Sequence, residues 1–392
     1  MTPIPLSPID HVFTGRGSYP LEFVFAYDRP IDPGRLRESL RLALGGFPAV
    51  SSRLVRRGDG RLALAPTEDG CVFEVASCPT SFAETPARAV FVAPVETVEG
   101  APLARVRLTR TPAGSVLGVG VSHAVADGFS YFHFLASWSR VFRGEPPLGS
   151  SHDRERLSPS TARPCPEEKA AVREGCGLFL DGPRPEPDRG SLRWTRRLFP
   201  RDELHALLQE AQARSPVRLS HNDVVAAWLW REQVGRWGDR GEPTAWLSCP
   251  VDLRRRLAGF PLDYFGCAVA LAVACVPRGE LCAAPLSALA HRVRDAVAAV
   301  DAAAAARSLE TIEALRRSGG DALLGRLHVV HPRAGLLVTN LSRLPVREIA
   351  FDAGPPVAFD VLVPAERCAI VLPARDGLDA RVCVPQEPGL EC

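Results

Sequence analysis

Lysine is almost missing from this chain of 392 residues: Lys169 is the single one among 47 basic side chains. The rest are arginine, and with abundant Ala, Gly and Pro this bias reads as codon pressure in a GC-rich, bacterial genome. An arginine is therefore not a functional signal by its type alone. Net charge is also small, +2, which argues against bulk attraction to nucleic acid or to an anionic membrane. The 11 cysteines, scattered from Cys71 to Cys392, include no Cys-x-x-Cys pair and are odd in number. Neither a disulfide framework nor a zinc site is expected, and most of these thiols should act as small buried hydrophobes. The N-terminus lacks the basic region and apolar run of a signal peptide, and no uncharged apolar stretch is long enough to span a bilayer. A reduced, cytoplasmic protein is expected. No Gly-x-Ser-x-Gly elbow occurs, so nothing suggests a Ser-His-Asp triad.

What is present is an ordinary soluble composition, 46% hydrophobic and 23% charged. The length exceeds what one core usually supports, so two halves are expected. Between Arg143 and Gly190 the chain turns to Pro, Gly, Ser and charge, which divides it into residues 1–150, a linker over 151–190, and residues 191–392. The first half reads as strands at Leu21 to Ala26, Leu62 to Ala65, Val72 to Val75, Leu103 to Leu108 and Ser115 to Val121. Its helices read as Asp32 to Leu44, capped by Asp32 with Pro33 at its first position, and the nearly all-apolar Phe129 to Phe142. The second half reads as strands at Ser191 to Leu198, Ala245 to Cys249, Gly266 to Val276, Gly335 to Thr339, Val357 to Val363, Ala369 to Leu372 and Ala380 to Val384. Its helices read as Arg201 to Arg214, Asn222 to Val234, Leu286 to Arg307 and Leu309 to Ser318. No internal repeat is evident.

The signal for chemistry is His123-Ala-Val-Ala-Asp127-Gly128, where a strand ends and a buried helix begins. A neutral imidazole held there can take a proton from an alcohol or amine near pH 7 as that nucleophile attacks a thioester carbonyl. One residue suffices, because a thiolate leaves readily. Spacing alone leaves open a histidine that merely ends a strand. It leaves two readings for Asp127 as well: a cap on the following helix, or a buried salt bridge to an arginine of the second half. Gly128 would supply either an unusual backbone angle or a close approach.

This motif resembles the HxxxDG signature of the BAHD acyltransferases and, more distantly, of peptide-synthetase condensation domains. The likeness continues in Leu6-Ser-Pro-Ile-Asp10, Leu36-Arg-Glu-Ser-Leu40, Phe47 to Leu54, Leu219 to Arg231, Val251-Asp-Leu-Arg-Arg-Arg-Leu257, Tyr264-Phe-Gly266 and Val338 to Pro345. Two departures stand out. The family's Asp-Phe-Gly-Trp-Gly segment survives only as Ala350-Phe-Asp-Ala-Gly354, and Cys267 replaces its usual Asn. Ser122, where condensation domains carry a first histidine, favours the BAHD side. The resemblance implies an α/β fold of two similar chloramphenicol-acetyltransferase-like halves with an active-site tunnel between them, and His123 as general base in it. It implies that Asp127 pairs with Arg254 or Arg256, that Thr339 is a hydrogen-bond donor to the oxyanion or a contact to the acceptor, and that Ser220 and Gly266 line the pantetheine path. Ser220 reads equally well as a helix cap. No tightly bound cofactor is implied, with acyl-CoA as co-substrate, a small-molecule acceptor, and a monomer.

Other residues have blander readings. His133 reads as a core or boundary residue, and His221, His328 and His331 lack metal spacing. Trp228, Trp230, Trp237 and Trp246 read as core, and Gly118-Val-Gly120 is no phosphate loop. Arg254-Arg-Arg256 suits CoA phosphates, with at least one member structural. The main expectation is an acyl-CoA:alcohol or amine acyltransferase of specialised metabolism; the alternatives are an acyl carrier protein as donor and a non-catalytic binding module.

Overall fold

The segment Gly114–Ser122 puts Val116, Gly118 and Gly120 on one face and Leu117, Val119 and Val121 on the other, as the two-residue period of a strand requires. In a computed structural model that describes residues 2–159, 161, 163–186, 192–236, 242–362 and 365–385, all nine of its residues are buried. Gly190, Ser191, Trp237, Val363 and Cys392, which enter the expectations above, lie outside the described residues.

Gly114–Ser122 is central in a five-stranded sheet, between the antiparallel strands Pro20–Tyr27 and Ala104–Thr111. Ala358–Val361 completes one edge and Cys71–Ser77 the other. Both faces of the centre are covered, which explains the unbroken burial. On one face Phe23 and Phe25 meet Tyr131 and Phe132 of the helix Gly128–Phe142. On the other, Val24, Ala26 and Val116 pack with Phe91 and Val92. That packing demands glycine: a Cβ at Gly118 would lie 1.9 Å from the Phe91 carbonyl oxygen.

Contacts divide the chain into two compact units. The first comprises Met1–Ser158, Gly259–Ala268 and Leu344–Val363; the second comprises Pro159–Ala258, Val269–Arg343 and Pro364–Cys392. The segment that resembles Asp-Phe-Gly-Trp-Gly belongs to the first. It keeps a packing role there, because Phe351 sits edge-on to Tyr27, Trp138 and Phe142, and Gly354 turns the chain at a φ of 82°.

The second unit holds a mixed six-stranded sheet in the order Val269–Pro277, Thr244–Asp252, Gly335–Asn340, Cys368–Ala374, Gly377–Pro385, Leu192–Phe199. Helices Arg201–Gln212, His221–Arg236 and Leu286–Ala298 accompany it. The Ala-rich stretch differs from expectation. Its first helix stops at Ala298, and the second spans Ala302–Leu324, broken by a kink at Gly320 (φ 57°), after Asp301 caps it by accepting a hydrogen bond from Ala304 N at 2.8 Å. The stretch from Arg143 to Gly190 also carries the single turn Arg154–Leu157 and the helix Lys169–Cys176.

Candidate active site

His123 follows the last residue of the central strand, at the mouth of a short loop that leads into the helix Gly128–Phe142. Every part of that loop is tied down. Ser122 Oγ lies 2.7 Å from Thr97 Oγ1, and Ala124 N donates to Ser122 Oγ at 3.2 Å. Asp127 caps the helix, its Oδ1 accepting from Ser130 N at 2.9 Å, while its Oδ2 accepts from Ala268 N at 3.0 Å. The cap reading of Asp127 therefore holds. Gly128 is simply the first helical residue, and its φ is not positive. Gly266 closes the loop from the other side: its carbonyl accepts from Asp127 N at 3.3 Å and from Ser130 Oγ at 3.0 Å.

His123 is partly exposed, unlike its neighbours Ser122 and Ala124. Phe13 stacks on it with centroids 4.0 Å apart, Tyr19 meets it edge-on at 5.8 Å, and Cys267 Sγ lies 3.9 Å from Nδ1. Burial pushes its pKa below the ordinary histidine value, opposed by a hydrogen bond to its own carbonyl and by the charges of Asp127 and Asp10. A lowered pKa favours the neutral ring, which keeps one nitrogen as a lone-pair acceptor. This is the arrangement of a base that is neutral near pH 7.

The remaining expected residues lie in the second unit, and most of them border one cavity of about 1510 Å³. Ser220, Thr339 and Arg256 all line it, together with Asn222 and Asn340. The cap reading of Ser220 holds too: its Oγ accepts from Asp223 N at 3.4 Å, while its own N and Oγ donate to Asp223 Oδ2 at 2.7 and 2.8 Å. Thr339 stands on the strand Gly335–Asn340, between strands on both sides. Arg254 is 2% exposed and donates to Asp252 Oδ1 at 2.9 Å. Arg218, Arg255, Arg343 and Arg375, also at the cavity wall, make no ion pair or side-chain hydrogen bond among the described residues. Unpaired guanidinium groups around one concavity suit a polyanion such as a nucleotide phosphate.

Among the bland readings, His133 proves a boundary residue, stacked on Phe129 with Nε2 2.7 Å from the Gly149 carbonyl oxygen. Trp230 is fully buried, whereas Trp228 and Trp246 are only partly so. No cluster of metal-binding side chains exists among the described residues. Ten cysteines are described, all free thiols; Cys176, Cys249, Cys267, Cys368 and Cys383 are buried, and the other five are not. Sequence reasoning did not single out Phe13, or Arg154 with its partner Asp10.

Comparison with known proteins shows the family and the fold. The model of the Transferase family matches residues 2–388. Hydroxycinnamoyltransferase 2 of Oryza sativa subsp. japonica is 28% identical over 385 residues, covering 88% of this chain and 82% of its own. Hydroxycinnamoyl-CoA:5-hydroxyanthranilate N-hydroxycinnamoyltransferase HHT1 of Avena sativa is 28% identical over 368 residues, with 88% and 82% covered. The solved structure of F. graminearum TRI101 complexed with ethyl coenzyme A shares the fold, with a TM-score of 0.79 at 16% identity over 98% of this chain and 95% of that one. The chain belongs to the Transferase family, the BAHD acyltransferases, and is an acyl-CoA-dependent O- or N-acyltransferase. These curated relatives are plant proteins and lend no support to the bacterial source expected from composition.

Proposed function

We propose that this enzyme moves an acyl group from an acyl-CoA to a hydroxyl or amine of a small specialised-metabolite acceptor, with His123 as the general base. The observation that carries the reading is His123 itself: a partly exposed residue beside Phe13 and Tyr19 whose pKa is lowered by burial, which favours the neutral ring. Nε2 takes the acceptor's proton as the acceptor oxygen or nitrogen bonds to the thioester carbon. When the tetrahedral intermediate collapses, the C–S bond breaks and the imidazolium returns the proton to the CoA thiolate. Thr339 is proposed to donate to the oxyanion or to contact the acceptor. The ion pair of Asp127 with Arg254 or Arg256 is proposed to fix the loop, and Ser220 and Gly266 to border the pantetheine path.

Free CoA is preferred to a carrier protein as donor because of the four unpaired arginines, Arg218, Arg255, Arg343 and Arg375, at the cavity of the second unit. Such a ring suits the phosphates of a nucleotide. A cytoplasmic monomer of GC-rich bacterial origin completes the proposal; no described helix is long and apolar enough to cross a membrane.

The test is CoA release from hydroxycinnamoyl-CoA with 5-hydroxyanthranilate, the pair in the oat relative's name, and with a panel of alcohols and amines. His123→Ala should lose about two to four orders of magnitude in rate. An undiminished His123→Ala enzyme sinks the proposal.

A further inference from the structure

Three stretches far apart in sequence converge on one buried guanidinium. Arg154 opens the turn Arg154–Leu157 and is 2% exposed. Its Nη2 donates to the Val125 carbonyl at 2.6 Å, and its Nη1 donates to the Ala124 carbonyl at 3.2 Å and to Asp10 Oδ2 at 2.5 Å. Ala124 and Val125 are the two residues directly after His123. Asp10 in turn accepts from Ser7 N at 2.8 Å, from Ser7 Oγ at 2.7 Å and, through Oδ1, from Cys267 N at 3.2 Å. It lies in the short helix Pro8–Val12, which ends at Phe13, the residue stacked on the imidazole.

We propose that Arg154 is a positioning residue for His123: one guanidinium sets the height of the catalytic loop through two carbonyls and, through Asp10, the placement of Phe13 against the imidazole face. The inference rests on the reading of His123 as the base. Its physical basis is the planar fork of arginine, which directs several N–H bonds at once, where an ammonium group is a compact point charge. Stability alone accounts poorly for the arrangement. Arg154 Nε is buried without a partner, and buried ion pairs can often give way to apolar side chains of similar volume without loss. What an apolar replacement cannot do is hold two loop carbonyls in one direction.

The informative variant is Arg154→Lys in the full chain, which keeps the charge and loses the fork. Proton–carbon NMR of the histidine rings, with His123 assigned by loss of its signal in His123→Asn, reads the ring-current shift that the Phe13 stack imposes on the His123 Cε1 proton. Expected in folded Arg154→Lys is loss of that shift, as in Phe13→Leu. A kcat reduced about tenfold to a hundredfold should accompany it, since a base displaced by about 1 Å costs of that order, with KM for hydroxycinnamoyl-CoA within about twofold. Should Arg154→Lys not fold, Asp10→Asn, neutral and similar in shape, carries the same expectation. A folded variant with the ring-current shift and kcat both unchanged overturns the proposal. Because the shift is read without turnover, its loss supports the positioning role even if His123→Ala kept its activity, an outcome that would overturn the functional reading alone.

Discussion

Phe13 lies nearly flat on His123, the two ring planes inclined by 16°. Phe13 thereby covers one face of the imidazole and adds to the burial that disfavours the charged ring. Packing and chemistry meet in this contact, since burial of the base favours its neutral form.

The acid limb of the pH profile should follow from that. His123 is a base whose pKa is lowered, so it stays neutral at pH values where an ordinary histidine, near about 6.5, is half charged. Activity should be lost only as pH falls through the lowered value. A kcat/KM profile with its acid midpoint below that of free histidine agrees; a midpoint above it contradicts the lowered pKa of the stacked imidazole.

Asp127 should matter for stability as well as for rate. In Asp127→Ala the helix loses its cap, worth about 0.5–2 kcal/mol, and the buried Ala268 N–H loses its acceptor, worth about 1–3 kcal/mol. Asp127→Asn retains one acceptor oxygen and should lose less. Denaturant titration of the two variants checks the order, and a wild-type midpoint for Asp127→Ala would contradict the contacts.

The unpaired arginines should act on donor binding and leave chemistry alone. Arg255→Ala and Arg375→Ala should each raise KM for acyl-CoA about two- to fivefold, the scale of an exposed charge contact of up to about 1 kcal/mol. The effect should shrink at high salt. It should disappear with an acyl-pantetheine donor, which has no nucleotide; an equal effect on that donor would remove the cavity from the proposal.

Two neighbouring glycines should differ in tolerance. A Cβ at Gly118 meets the Phe91 carbonyl oxygen at 1.9 Å, whereas at Gly120 its nearest contact is Val95 Cγ2 at 2.9 Å. Backbone must move for the first, and a side chain can yield for the second. Gly118→Ala should cost at least the roughly 1–3 kcal/mol of an overpacked core, Gly120→Ala distinctly less, as read from their melting temperatures.

The first unit's elements were legible where period and caps agree. The strand at Leu21, the helix capped by Asp32 and the aromatic helix after Asp127 fall within about two residues of expectation, an ordinary uncertainty for helix and strand ends. The Ala-rich stretch was not legible, because a run of alanines has no apolar face and Asp301 reads as one more polar residue until its cap is seen. Helix Lys169–Cys176 hid in a proline-rich context. At the site, His123 stood out by its place after a strand. Arg154 did not, because one arginine among many signals nothing until its partners are known. Nor did the shared use of Leu6-Ser-Pro-Ile-Asp10 and Leu219-Ser-His-Asn-Asp223 show as a repeat. Each places an aspartate on the backbone N–H of the serine three residues before it and on an arginine, Arg154 in one unit and Arg294 in the other.

The strand Pro20–Tyr27 receives its outer neighbour, Ala358–Val361, from the far end of the chain, and Tyr27 Oη reaches the Ile349 carbonyl across 322 residues. During synthesis, then, the strand Pro20–Tyr27 keeps an open edge until Ala358–Val361 has been translated. Such an edge invites mispairing with other chains. Premature termination shortly before Ala358 would leave the motif around His123 fully translated, yet release a product whose first sheet lacks its last strand and which is prone to aggregate.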